Sequence, residues 1–319
     1  MKTAFLFPGQ GAQVVGMGAE IAKAFSVAAE IFERANDITG LDLSRICFEG
    51  PAEQLNSTTI SQPAIFVASA AILEVLRTEA ATSGIHPGVT AGLSLGEYTA
   101  LYAAGLISFE DALLLVQKRG QAMQAAADAS EGGMVSIIGL DEQTIRRLCA
   151  DASQGELLVP VNFNCPGQIA ISGTAAACQR AESLADKYGA IKAIRLEVAG
   201  AFHTEMMSTA AEALREALSK CEIGEPSQTQ TIANINADYY QSSEAIADGL
   251  AKQLTCPILW QQCAERLLAD GVEEFYEIGP GRVLTGLMRR IHRKTKVVNV
   301  SNLHTLTELL EQVPSQIRG

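Results

Sequence analysis

The stretch Val89-Thr90-Ala91-Gly92-Leu93-Ser94-Leu95-Gly96-Glu97-Tyr98 restricts the possible folds more than any other part of the chain. A strand-like run from Gly88 to Ala91 leads into Gly-x-Ser-x-Gly, and an Ala- and Leu-rich helix-like run, Glu97 to Ala104, leads out. A strand that turns this sharply into a helix needs small residues two before and two after the serine, which Gly92 and Gly96 supply. The serine then stands at a helix N-terminus, where free N–H groups and the helix dipole favour a developing negative charge. The same letters also spell an ordinary glycine-rich turn, so it is the strand–helix context that gives the motif its weight.

With 319 residues, 48% hydrophobic and 19% charged, the chain can bury one large core or two. The net charge of −12 argues against nucleic-acid binding and against general adhesion to anionic membranes. Seven scattered cysteines without a Cys-x-x-Cys pair, beside only four histidines, make a metal site unexpected and point to reduced core thiols. The apolar N-terminus breaks at Pro8-Gly9, too early for a signal-peptide core. No uncharged apolar run approaches the ~20 residues of a membrane span. A cytoplasmic, monomeric protein is the expectation.

In order along the chain, residues 3–7 read as a buried strand, and Pro8 to Gln13 as a tight loop lacking both nucleotide-binding glycine motifs. That loop either brings backbone N–H groups to a ligand oxygen or is a plain turn. Residues 17–36 and 63–80 read as helices, the second with Pro63 in its first turn and Ser61 as cap. On the helix expected over 110–127, Ala112, Leu115, Val116, Arg119 and Met123 share one face. Arg119 interrupts that apolar stripe. A buried guanidinium needs an anion, either a structural Asp or Glu or a substrate carboxylate held by two parallel donors. From Met134 the order is strand 134–139, helix 141–153, strands 156–162 and 168–172, helix 174–188, strand 190–198. This is the ferredoxin-like order. The expected architecture is α/β: an α/β-hydrolase-like large domain (1–131 and 199–319) with a central parallel sheet, and an inserted ferredoxin-like small domain over 132–198. His203 lies in the small-residue turn Gly200-Ala201-Phe202-His203, where an accessible imidazole is expected, and it is the best base for Ser94. Beyond it come a strand over 231–235, a helix over 244–254 ended by Pro257, a strand over 274–278 and a helix over 283–292. The basic run Arg289 to Lys296 is either a solvated helix end or a docking patch for an acidic partner.

Taken together, Phe7-Pro8-Gly9-Gln10-Gly11-Ala12-Gln13, Gly92-Leu93-Ser94-Leu95-Gly96-Glu97-Tyr98, Arg119, Asn162-Phe163-Asn164-Cys165-Pro166-Gly167-Gln168, Gly200-Ala201-Phe202-His203 and Glu277-Ile278-Gly279-Pro280-Gly281 closely resemble the malonyl-CoA:acyl carrier protein transacylases of fatty acid synthesis and the related acyltransferase domains of polyketide synthases. The resemblance runs from Met1 to about Leu303. It implies that Ser94 carries a malonyl ester and that His203 is its base. It also implies that the Gln253 carbonyl orients the histidine, the N–H groups of Gln13 and Leu95 form the oxyanion hole, and Arg119 pairs with the malonyl carboxylate. Asn162 and Gln168 would line the cleft, and Phe202 would disfavour an α-methyl branch. No cofactor is implied: malonyl-CoA is a substrate, and phosphopantetheine arrives on an acyl carrier protein partner in a ping-pong exchange. Lys187, Lys192 and Arg195, or the 289–296 run, would dock that partner. Leu93 stands where the family usually has His, and Thr204-Glu205 where it often has Ser-Pro. A thioesterase or acyl hydrolase using the same Ser–His pair, a stand-alone acyltransferase serving a polyketide synthase, and a non-catalytic binding module are the rival readings.

Overall fold

The computed structural model describes residues 2–79 and 85–312. Its strands are β1 (Lys2–Phe7), β2 (Val89–Gly92), β3 (Gly132–Ile138), β4 (Leu158–Cys165), β5 (Gln168–Thr174), β6 (Lys192–Arg195), β7 (Gln230–Thr231), β8 (Val272–Ile278) and β9 (Val297–Val300). They form two sheets, a five-stranded one in the order β7-β2-β1-β8-β9 and a four-stranded one in the order β4-β5-β3-β6. Every pairing in the first is parallel and every pairing in the second antiparallel.

The parallel sheet is covered on both faces, so its central strand reads as an unbroken apolar run, with Ala4, Phe5, Leu6 and Phe7 all buried. Strand register brings two loops together. Phe7 pairs with Gly92, so the loop after β1 and the serine turn after β2 leave the same sheet edge side by side. The central helix on one face is Thr58–Glu79, packed against Phe109–Asp128 and Ser26–Thr39. By length and composition it could cross a membrane, yet nearly all of it is buried inside the protein. It begins five residues earlier than expected. Pro63 therefore lies inside it rather than in its first turn, and Ser61 caps nothing: its hydroxyl is buried without a partner. The helix expected over 17–36 is two, Ala19–Ala24 and Ser26–Thr39, because Phe25 is extended between them.

In the antiparallel sheet the strand order, with a helix after the first and third strands, gives the ferredoxin-like split β-α-β arrangement. Val135, Ile137, Ile169 and Ile171 face the helices Glu142–Ser153 and Ala175–Leu184 in a core of their own. Met134, Val161 and Ala170 face the other way and join the main core. The two sheets are stitched through β4: Phe163 N donates to the Ile258 carbonyl at 2.9 Å, and Ile258 N to the Val161 carbonyl at 2.7 Å. The helices Trp260–Ala269 and Leu303–Gln312 and strand β9 lie beyond what the pattern of residues indicated, and β7 is shorter than the 231–235 strand expected.

Candidate active site

Ser94 occupies a left-handed backbone conformation, φ 52°, between β2 and the helix Gly96–Ala103. Such strain in a non-glycine residue persists only where its surroundings enforce it. Here they do. A Cβ on Gly92 would lie 1.9 Å from the Gly96 carbonyl carbon, and one on Gly96 would lie 2.1 Å from the Phe7 carbonyl oxygen. Asn234, just past β7, clamps the turn. Its Oδ1 accepts from Ser94 N at 2.6 Å and its Nδ2 donates to the Gly92 carbonyl at 2.7 Å.

The serine opens into a cleft of about 370 Å³ between the two sheets, lined among others by Gln13, Leu93, Arg119, Met134, Asn162, Phe202 and His203. His203 has φ 61° and is only 4% exposed, so the imidazole is buried rather than accessible as expected; Ala201, Phe202 and Thr204 are buried with it. Its Nε2 lies 3.0 Å from Ser94 Oγ and its Nδ1 2.7 Å from the Gln253 carbonyl. A carbonyl only accepts, so Nδ1 carries the hydrogen and Nε2 presents a lone pair to the serine. Burial and, after it, the Arg119 cation push the histidine down to about 3, which keeps it neutral near pH 7 and disfavours the imidazolium. Thr204 Oγ1 donates to the Ala201 carbonyl at 2.7 Å and caps the next turn, so Thr204-Glu205 closes this loop without Ser-Pro.

Arg119 comes from the middle of Phe109–Asp128 and is 1% exposed. Its Nη2 donates to Ser94 Oγ and to Gln253 Oε1, each at 2.9 Å, and its Nη1 to Gln62 Oε1 at 2.7 Å. The Tyr98 ring lies 5.6 Å away, and Nε has no partner. Among the described residues no carboxylate forms an ion pair with it.

The remaining expected residues separate. The backbone N–H groups of Gln13 and Leu95 have no acceptor among the described residues. Asn162 lines the cleft with its Oδ1 buried and unpaired. Gln168 does not reach the cleft, because Arg290 Nη1 holds its Oε1 at 2.7 Å at the start of β5. Gln253 does more than lend a carbonyl: its side-chain Nε2 donates to the Ser94 carbonyl at 3.0 Å and to Glu97 Oε2 at 2.7 Å. Sequence reasoning does not single out Gln62, Asn234, Glu97 or Tyr240. Only Glu97 leaves a trace in the sequence, as a single acid in an otherwise apolar helical run. Among the described residues no three of His, Cys, Asp or Glu are grouped to hold a metal, and all seven cysteines are free thiols.

The acyl transferase domain model matches residues 4–309. The chain belongs to that family. It is 43% identical over 306 residues to the malonyl CoA-acyl carrier protein transacylase of Bacillus subtilis (strain 168), covering 96% of this chain and 95% of that one. The transacylase of the same name from Escherichia coli (strain K12) is 42% identical over 288 residues, 90% of this chain and 92% of its own. Among solved structures, an acyl carrier protein S-malonyltransferase from Vibrio cholerae superposes with a TM-score of 0.91 at 42% identity, covering 97% of this chain and all of that one. A malonyl-transacylase solved with its type II polyketide synthase acyl-carrier protein superposes with a TM-score of 0.93 at 41% identity, covering 98% of this chain and 99% of that one. Like these family members, the protein is an acyltransferase with a mixed α/β fold.

Proposed function

We propose that the protein transfers a malonyl group from malonyl-CoA to the phosphopantetheine thiol of an acyl carrier protein, through a malonyl ester on Ser94. The observation that carries this reading is the buried Arg119 guanidinium, within hydrogen-bond distance of the nucleophile and, among the described residues, with no carboxylate in direct contact. A cation placed there costs stability unless the substrate brings the anion, which is what the free acid of a malonyl group does.

The geometry supports the following steps. Ser94 Oγ attacks the thioester carbonyl while its proton passes to His203 Nε2, 3.0 Å away. The Gln13 and Leu95 N–H groups hold the oxyanion, such donors being worth ~3 kcal/mol each. The CoA thiolate departs with the proton from His203. The carrier-protein thiol then gives its proton to His203 and attacks the serine ester, and the steps reverse. Base, donors and guanidinium together account for each proton and charge in this exchange. Phe202 narrows the pocket against an α-methyl branch, a discrimination of only ~1–3 kcal/mol. The exposed Lys192 and Arg195 of β6 run directly into the cleft-lining Leu196 and Val198, and with Lys187 they offer an acidic carrier protein a docking edge. Transfer of labelled malonyl from CoA to a holo carrier protein tests the reading. Label should pass through the protein to the carrier. Release of free malonate with no labelled carrier would assign a hydrolase instead.

A further inference from the structure

Two acids are fully buried among the described residues, Glu97 and Glu277. Glu277 is accounted for: it accepts from Leu284 N at 2.8 Å and Thr285 N at 2.9 Å, and so caps the helix Val283–Ile291. Glu97, 1% exposed and outside the cleft lining, has no such task. Its Oε1 accepts from the Tyr240 hydroxyl, and its Oε2 from Gln253 Nε2 at 2.7 Å and from Asn234 N at 3.2 Å. Among the described residues no Lys or Arg touches it. The same Gln253 amide accepts from Arg119 Nη2 at 2.9 Å, so one amide separates the buried cation from the buried acid. Gln253 also takes the His203 Nδ1 hydrogen on its backbone carbonyl.

We propose that Glu97 is a positioning residue of the transfer reaction: joined to Arg119 through the Gln253 amide, its carboxylate is the internal counter-charge that lets His203 accept the serine proton beside a fixed cation. The inference rests on the malonyl-transfer reading above. An amide oxygen could accept from Gln253 and Asn234 in place of Oε2, and its NH2 could donate to the Tyr240 hydroxyl in place of Oε1, so what the acid adds is its charge. The charge is needed because of where the proton goes. When His203 takes it, an imidazolium forms next to a guanidinium that opposes it. In serine–histidine sites an acid behind the imidazole offsets this. Here the group behind the imidazole is an uncharged carbonyl, and Glu97 is the nearest carboxylate in the hydrogen-bonded network. It stands one residue further back and acts on the cation rather than on the imidazole.

Burial raises the Glu97 carboxyl to about 7 against the pull of its three donors and Arg119. The titratable groups around it are Arg119, Tyr98, Tyr240 and Cys263, with His203 beyond Gln253. Tyr98, Tyr240 and Cys263 are pushed up by burial and stay neutral near pH 7, while His203 titrates far below it. A step in rate near neutrality therefore belongs to Glu97. Its sign is fixed by the charge: above about 7 the counter-charge is present and acylation is fast, and below it the carboxyl is neutral and acylation slows.

The experiment is the single-turnover rate of Ser94 acylation by malonyl-CoA against pH, in the wild type, Glu97→Gln and Tyr240→Phe. The wild type should step down about tenfold as pH falls through neutrality, one pKa unit of His203 basicity. Glu97→Gln should run flat at the lower plateau without a raised KM for malonyl-CoA. Tyr240→Phe removes a donor to the carboxylate and should move the step to higher pH. A step that persists in Glu97→Gln, a flat profile at the wild-type upper plateau, or a raised KM with unchanged rate overturns the proposal. Should Glu97→Gln fail to fold, an unmoved step in Tyr240→Phe overturns it equally. A wild type that forms no malonyl-serine at any pH refutes the malonyl-transfer reading itself, a result distinct from all of these.

Discussion

The two sheets meet at one cleft and contribute unequally to it. The parallel sheet and its helices supply each group that touches Ser94 Oγ, together with the clamp on its backbone: His203, Arg119 and Asn234 converge there from three separate segments. The antiparallel sheet supplies wall: Met134 from β3, Asn162 from β4, and Leu196 and Val198 after β6. On the first side Ser94, His203, Arg119, Gln253 and Glu97 are joined in one hydrogen-bonded network, with Arg119 Nε left over. On the second, Asn162 Oδ1 is buried with no partner. A preorganised network buried in low dielectric performs the chemistry on one side, and side chains of the antiparallel sheet shape the opposite wall of the cleft. Substitutions should therefore act through rate on one side and through binding on the other.

The largest effects belong to the parallel layer. Ser94→Ala or His203→Ala should cut malonyl transfer by at least about 10⁴-fold, read as initial rate, since the members of such a unit fail together. Arg119→Ala should lower kcat/KM for malonyl-CoA by about 10²-fold while sparing acetyl-CoA, because only the charged acyl group loses a charge-assisted contact. Equal loss on both substrates would mean that Arg119 serves the serine and not the acyl carboxylate. Asn234→Ala touches no substrate, yet it frees Ser94 N and the Gly92 carbonyl. A loss of about 1–3 kcal/mol in denaturant unfolding and about tenfold in kcat is expected. The smallest effect belongs to the other layer: Met134→Ala should raise the malonyl-CoA KM about fivefold, about 1 kcal/mol, and leave kcat unchanged. A large fall in kcat there would erase the distinction between the layers.

What the sequence discloses divides along similar lines. Strands of the parallel sheet are legible because burial on both faces makes them apolar runs, as in Ala4 to Phe7. The serine turn is legible because a Cβ at either of its two glycines would lie 1.9 or 2.1 Å from backbone atoms. Arg119 stands out as a charge on an apolar stripe. By contrast, the start of Thr58–Glu79 is hidden, because proline is tolerated one turn deeper than its usual place once neighbouring helices hold the segment. Gln168 belongs to a recognisable motif but is turned toward Arg290, a pairing between residues 122 positions apart that no local pattern encodes. Asn234, Gln62 and Tyr240 are silent for the same reason. Each is an ordinary polar residue whose meaning comes from a partner brought close by the fold, as with Asn234 and Ser94, 140 positions apart.

The central claim is that one serine oxygen, read by an imidazole and a guanidinium together, accepts a malonyl group. Peptide mass mapping after mixing the protein with malonyl-CoA and quenching in acid tests it most directly. The account predicts a single malonyl ester on Ser94 in the wild type, formed about 10²-fold more slowly in Arg119→Ala. An unmodified Ser94, or equal malonylation with and without Arg119, would contradict it.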